Sequence, residues 1–219
     1  MTTSGGQARS LQRRTLNDSI TRFWSLAAPA YDQRCLQRLV YQPAQDEVIA
    51  ALRSRGSRRV ADIACGTGIL ASRIADELLP EEVYGVDMSD GMLAQARRRS
   101  SSVSWKKAPA EQLPFADEFL DAVVTTSAFH FFDQPAALRD FHRVLAPGGV
   151  VAVATISPRQ LLPVQLFAAA TWAPAHNPSP DRVYALFEEA GFTVSDQRRV
   201  RRPWWTQAVS DLITIGVKR

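Results

Sequence analysis

The chain is poor in the residues that mark several protein classes. Its only cysteines are Cys35 and Cys65, too few for a disulfide framework and not spaced as zinc ligands. That scarcity fits a reducing, cytoplasmic compartment. No apolar run approaches the ~18 residues of a membrane-spanning helix, so no membrane span is expected. Lysine is nearly absent, occurring only at Lys106, Lys107 and Lys218. The net charge of +4 therefore rests on arginine. With alanine abundant, that bias reads as codon usage rather than selection for phosphate contacts, and no nucleic-acid partner is expected. No Tyr-x-x-x-Lys pair occurs either, which removes one common catalytic pair of hydride-transfer enzymes.

What is present describes a folded chain. Of its 219 residues, 46% are hydrophobic and 22% charged, a balance that excludes disorder as the dominant state. The length suits one sizeable α/β domain. Residues 1–17 carry Ser, Thr, Gly and Arg without an acid, and read as a disordered tail preceding a single domain over 18–219.

Apolar periodicity predicts helices over 20–29 and 44–53. Strands follow at 59–64, 83–87, 103–107 and 120–126, alternating with helices at 69–79, 90–99 and 134–145. Ser89 is a natural N-cap and Pro135 a first-turn residue. After a turn at Pro147-Gly148-Gly149, residues 150–155 form a continuous apolar strand of the buried parallel type. Residues 192–201 and 209–217 read as a closing strand pair. The alternation predicts a doubly wound, mostly parallel α/β sheet with a C-terminal antiparallel pair. The proline-rich segment 157–180, with Leu161, Phe167 and Trp172, breaks this rhythm and is a candidate substrate lid.

The chemistry concentrates in Asp62-Ile-Ala-Cys-Gly66-Thr-Gly68, between an apolar strand and a helix. Glycines there let the backbone turn sharply and approach a ligand, and the helix N-terminus faces it. Asp87 ends the next strand, where an acid in this architecture grips a ribose diol. Such a loop serves dinucleotides as well as other nucleoside cofactors. The sign of Asp62 separates them: it would repel a pyrophosphate and attract an ammonium or sulfonium.

On these residues the chain resembles the class I S-adenosylmethionine (SAM)-dependent methyltransferases, in their small-molecule branch. Val60 to Gly68 is similar to the family's first motif, and Val83 to Ser89 with Met92 to its second-strand motif. Ala110 to Phe115, Asp121 to Val124 and Arg143 to Gly149 are similar to its later motifs. Ala30-Tyr31-Asp32 resembles its entrance helix. The resemblance implies a seven-stranded Rossmann-like sheet. It places Asp62 near the cofactor's ammonium, Ala64, Gly66 and Gly68 beneath it, Asp87 on both ribose hydroxyls and Met88 on the adenine face. Ala110 and Glu111 would border the adenine, Thr126 with its neighbours would floor the methionine moiety, and Tyr31 would cap it. Two positions depart from the pattern: Ala64 replaces a glycine, and Pro109 stands where an acid often reads the adenine amine.

The implied activity is methyl transfer from SAM, leaving S-adenosylhomocysteine (SAH), to oxygen or carbon of a small-molecule or carrier-bound acceptor. That acceptor would be apolar, phenolic, quinone or acyl-carboxylate in type. His130, just past the fourth strand, is the candidate base, set against a packed histidine among Phe129, Phe131 and Phe132. The alternatives are an NAD-dependent oxidoreductase and an inactive methyltransferase-fold interaction protein. Nothing in the residues suggests a metal. Trp24 and Trp204-Trp205 are candidates for a homodimer face.

Overall fold

The structure, a computed structural model, describes residues 41–156, 177–202 and 211–219. The expected tail 1–17, the helix over 20–29, Tyr31, residues 157–176 of the expected lid and Trp204-Trp205 lie outside the described residues.

Helix α1 (Gln42–Arg53) carries Pro43 in its first turn and buries Val48, Ile49 and Leu52. Strand β1 (Arg59–Ile63) leads into α2 (Ile69–Leu78), and β2 (Glu82–Asp87) into α3 (Asp90–Arg99). As expected, Ser89 caps α3, its hydroxyl accepting from the Met92 amide at 3.2 Å. The short β3 (Ser104–Lys107) and β4 (Leu120–Thr126) follow. After a 3-10 turn at Phe129–Phe131 comes α4 (Gln134–Val144), capped by the Asp133 carboxylate. Then come β5 (Leu145–Ile156), α5 (Pro180–Glu189), β6 (Phe192–Arg199) and β7 (Asp211–Lys218).

The seven strands form one sheet in the order β3-β2-β1-β4-β5-β7-β6. All pairings through β5 are parallel, while β7 runs antiparallel to both β5 and β6. The order reverses direction between β1 and β4, and that switch point is where ligands bind in open α/β sheets.

Both faces are covered, which is why the central strands read as unbroken apolar runs. On one face Val123, Val151 and Val153 meet Leu138 and Phe141 of α4 and Phe187 of α5. On the other, Ala122, Val124 and Ala152 meet α1 and Leu70, Ala71 and Ile74 of α2. Each large side chain buried this way contributes about 1.5–3 kcal/mol.

Two expectations are corrected. Strand β5 begins at Leu145 rather than 150, because Leu145 already pairs with Leu120 and the ladder resumes at Ala122–Val150 after a bulge. The Pro147-Gly148-Gly149 turn is that bulge. A side chain at Gly149 would press against the Ala146 carbonyl at 2.7 Å. Pro180, read as the end of the proline-rich segment, instead opens α5: the Ser179 hydroxyl caps it by accepting from the Arg182 amide at 3.3 Å.

Candidate functional site

The residues singled out between 62 and 130 lie at or past the carboxyl ends of β1, β2, β3 and β4, apart from Asp62 within β1 and Met92 on α3. The loop after β1 turns through three left-handed residues, Ala64 (φ 55°), Gly66 (φ 55°) and Gly68 (φ 80°). Gly68 is the N-cap of α2 and offers no side-chain cap. Its carbonyl accepts from the Ser72 amide at 3.0 Å, and the Cys65 amide donates to the Val86 carbonyl at 3.0 Å. The glycine loop is thereby stitched to β2. Ala64 carries a Cβ in a conformation that disfavours one, a strain on the order of 1 kcal/mol.

Asp87 closes β2 with both oxygens held. Gly66 donates its amide to Oδ2 at 2.9 Å and Ser89 donates to Oδ1 at 2.8 Å. Each carboxylate oxygen retains a second lone pair, so the group is oriented without being used up. Burial pushes its pKa up, while the amides of Ser89, Gly66 and Met88 oppose that shift.

Asp62 sits on β1 between Gly85 of β2 and Val124 of β4. It is 2% exposed. The carboxyl accepts from the Ala71 amide of α2, yet burial holds its pKa well above the usual carboxylate range, and the charge of Asp87 adds to the rise. Its Oδ2 has no hydrogen-bond partner. A buried carboxyl in this state is short of a cationic or hydrogen-bonding neighbour.

Beyond β2, Met88 is half-buried, whereas Met92 is core, 4% exposed in the first turn of α3. Ala110 is buried against the α4 face of the sheet. Glu111 accepts from the Asp133 amide at 2.8 Å and so ties the loop after β3 to the start of α4. At the end of β4, Thr126 pairs with Ala154, and Ser127 (φ 56°) donates its amide to the Ala154 carbonyl at 2.8 Å.

His130 lies in the 3-10 turn, 5% exposed, with its ring centroid 4.1 Å from that of Phe131. Its Nδ1 has no hydrogen-bond partner, and burial pushes its pKa down to about 4. The imidazole is therefore neutral near pH 7 and keeps a lone pair.

Two residues of the loop's surroundings escaped the sequence reading. Trp105 of β3 packs its ring over Gly68 and Gly85, where any Cβ would meet it at 2.4 and 2.2 Å. Arg99 donates Nε to the Thr67 carbonyl at 2.8 Å. Only a glycine at 85, in mid-strand and without a turn to explain it, hinted that a large neighbour would lie over it. Among the described residues no cluster of His, Cys, Asp and Glu could hold a metal ion. Among them, too, no helix is long and apolar enough to cross a membrane.

Comparison with known proteins agrees with this arrangement. Residues 61–153 match the family described as methyltransferase domain. The chain is 34% identical over 158 residues to a demethylmenaquinone methyltransferase of Chlorobaculum parvum, covering 68% of this chain and 64% of the relative. It is 36% identical over 129 residues to a ubiquinone/menaquinone biosynthesis C-methyltransferase of Coxiella burnetii, covering 55% of this chain and 52% of the relative. The alignments thus span about half to two-thirds of those relatives. In structure, a chain of the Haloferax volcanii complex of the Trm112 methyltransferase activator with a methyltransferase superposes with a TM-score of 0.75 at 19% identity, covering 89% of this chain and 96% of that one.

Proposed function

We propose that this chain, a class I SAM-dependent methyltransferase similar to the quinone methyltransferases, transfers a methyl group from SAM to a small apolar ring acceptor of the hydroquinone type. The observation that carries the cofactor is the pair of carboxyls at the switch point. Asp62 has a buried oxygen in want of a partner, which an amino-acid ammonium would supply. Asp87 is held by two amides with lone pairs to spare, which suits a vicinal diol. A dinucleotide would instead bring its pyrophosphate to the loop beside Asp62, a buried carboxyl that offers an anion no cation and could not ionise beside it without repulsion.

On this reading Gly66 leaves the cradle free of a side chain, Gly68 makes room for the Trp105 ring behind the loop, and α2 turns its amides toward the ligand. Ala64, Met88, Met92, Ala110, Glu111 and Thr126 complete the surroundings of the cofactor. Two of these act at a distance: Met92 supports α3 from the core, and Glu111 braces the adenine-side loop through Asp133.

When bound, SAM supplies an electrophilic methyl group on sulfur. The acceptor must therefore be nucleophilic, and an oxidised quinone ring is not. A reduced ring becomes so when its phenolic proton is drawn away, and methylation at carbon would then release the proton that this carbon carried, restoring the aromatic ring. His130, neutral and set among Phe129, Phe131 and Phe132, can accept that proton at a ring nitrogen while the apolar wall orients the ring. Much of the rate would come from placing the acceptor in line. The quinone relatives' names support a carbon as the methylated atom.

Calorimetric titration with SAH, with NAD in parallel, tests the cofactor. Micromolar SAH binding, about −8 kcal/mol, with no response to NAD is expected. NAD binding without SAH binding would overturn the reading. Labelled SAM with a chemically reduced, short-chain demethylnaphthoquinone then tests the acceptor. Label in the ring carbon is expected, and label on oxygen would correct the proposal.

A further inference from the structure

We infer that Arg99 and Trp105 are positioning residues that hold the glycine loop in its ligand-ready shape; this rests on the loop being the cofactor cradle. Neither belongs to the loop or to the two carboxyl-bearing strand ends. They act from the C-terminus of α3 and from β3.

The Thr67–Gly68 peptide is planar, so fixing its carbonyl also fixes its amide. The Thr67 carbonyl accepts from Arg99 Nε at 2.8 Å. On the opposite side of the same peptide, the Gly68 amide donates to the Cys65 carbonyl at 2.9 Å. Arg99 therefore sets the plane of the peptide that enters Gly68, the N-cap of α2. Thr67 itself is fully buried, whereas Arg99 reaches in from the surface as the last residue of α3.

Trp105 supports the same turn. Its indole N–H donates to the Ser100 carbonyl at 3.1 Å, one residue beyond Arg99. That bond pins the ring in the wedge between α2, α3 and β2. There it occupies the space a Cβ would fill at Gly68 and at Gly85. Gly85 is the β2 neighbour of Asp62. The ring thus spans the strand beside one carboxyl and the turn that opens α2. Without it, Gly68, whose left-handed φ is shared by many unfolded conformers, loses the wall that selects one.

The test compares wild type with Arg99→Met, Arg99→Lys, Trp105→Phe and Gly85→Ala in hydrogen exchange and in SAH titration. Arg99→Met should speed exchange of peptides covering residues 62–70 about 5-fold, the effect of one lost hydrogen bond. Peptides from β4 and β5 should be unchanged. It should weaken SAH binding by a similar factor and raise KM for SAM at unchanged kcat, with Arg99→Lys recovering part of both. Trp105→Phe should do the same. Gly85→Ala should weaken binding in the wild-type background and far less in a Trp105→Ala background, since the clash is with that ring.

Loop exchange and SAH affinity unchanged in both Arg99→Met and Trp105→Phe would overturn the inference. A wild type that binds no SAH would overturn the proposed function instead. Loop exchange, which needs no ligand, would still decide whether the brace exists.

Discussion

Gly66 donates its backbone amide to Oδ2 of Asp87 across 2.9 Å. The relationship joins the two halves of the candidate cofactor site, the loop after β1 and the end of β2, beside the bond from the Cys65 amide to the Val86 carbonyl, and its backbone donor survives any substitution at residue 66 except proline. Asp87 thus anchors the loop, and on the proposed function it also faces the ligand.

Asp87→Asn separates these roles. The amide keeps one oxygen to accept from Gly66 or Ser89 but loses the charge and one acceptor. We expect SAH affinity to fall by ~10²-fold, as when two charge-assisted hydrogen bonds of about 1.5 kcal/mol each are lost. Folded structure by circular dichroism should be retained. Asp87→Ala should lose binding altogether and also lower Tm, because the amides of Gly66 and Ser89 are left without their acceptor. An Asp87→Ala protein that binds SAH like wild type would sink the assignment.

Asp62 carries a prediction of opposite sign for stability and binding. Its folded-state pKa is raised by burial, so between the unfolded value near 3.8 and that raised value the native state holds a proton the unfolded state has released. Stability contributed by this group is then present at low pH and lost as pH rises through that window. Asp62→Asn should remove the loss and raise Tm of the free protein at pH 7, while weakening SAH binding. An ammonium at Oδ2 would favour the charged form, so ligand binding should release a proton. Titrations in two buffers of different ionisation enthalpy measure that release directly. No buffer dependence in wild type, or a lower Tm in Asp62→Asn, would contradict this account.

Much of this site was legible because its signals are local. A strand that ends in Asp62, a loop of small residues and a second strand that ends in Asp87 are each readable within a few positions. The alternation of apolar runs with N-caps such as Ser89 gave the order of elements. Helix α5 was missed although Ser179, Pro180 and Asp181 form a good N-terminus and Val183, Leu186 and Phe187 share one face. The prolines before it made the whole stretch read as irregular. The bulge in β5 was hidden because Pro-Gly-Gly is turn chemistry wherever it stands, and only pairing with Leu120 reveals the strand on both sides. Arg99 left no signal, and Trp105 only the hint of the mid-strand Gly85. The Arg99 contact joins positions 32 residues apart, and a run of cations in the last turn of α3 has a local use in the helix dipole.

Ala64 offers a test of strain. The residue adopts φ 55°, where glycine is at ease and alanine is not. Ala64→Gly should stabilise the protein by up to about 1 kcal/mol, the relieved strain being partly offset by the greater freedom of glycine in the unfolded chain. Urea unfolding at pH 7 measures it. Destabilisation by the same amount would show that the Ala64 methyl packs usefully in the loop, and that the departure from glycine is an adaptation rather than a tolerated cost.

His130 gives the last prediction, and its sign is opposite to that of Asp62. Burial lowers its folded-state pKa to about 4, below the ~6.5 of an unfolded histidine. Between those values the unfolded chain binds a proton the native state refuses, so stability is full above about pH 6.5 and is lost as pH falls toward 4. The shift corresponds to roughly 3 kcal/mol if fully expressed. His130→Gln should flatten this acid-side slope, seen as the difference between urea midpoints at pH 7 and pH 5. On the proposed function the same neutrality bears on catalysis. A group with so low a pKa is neutral between pH 5.5 and 8, so with His130 as the proposed base kcat should show no acid limb there from this group. His130→Gln should lower kcat while leaving KM for SAM within about 2-fold, since the residue faces the acceptor and not the cofactor on the proposed reading. If kcat survives and only the stability slope changes, His130 is a packed core histidine, and the acceptor's proton must leave by another route.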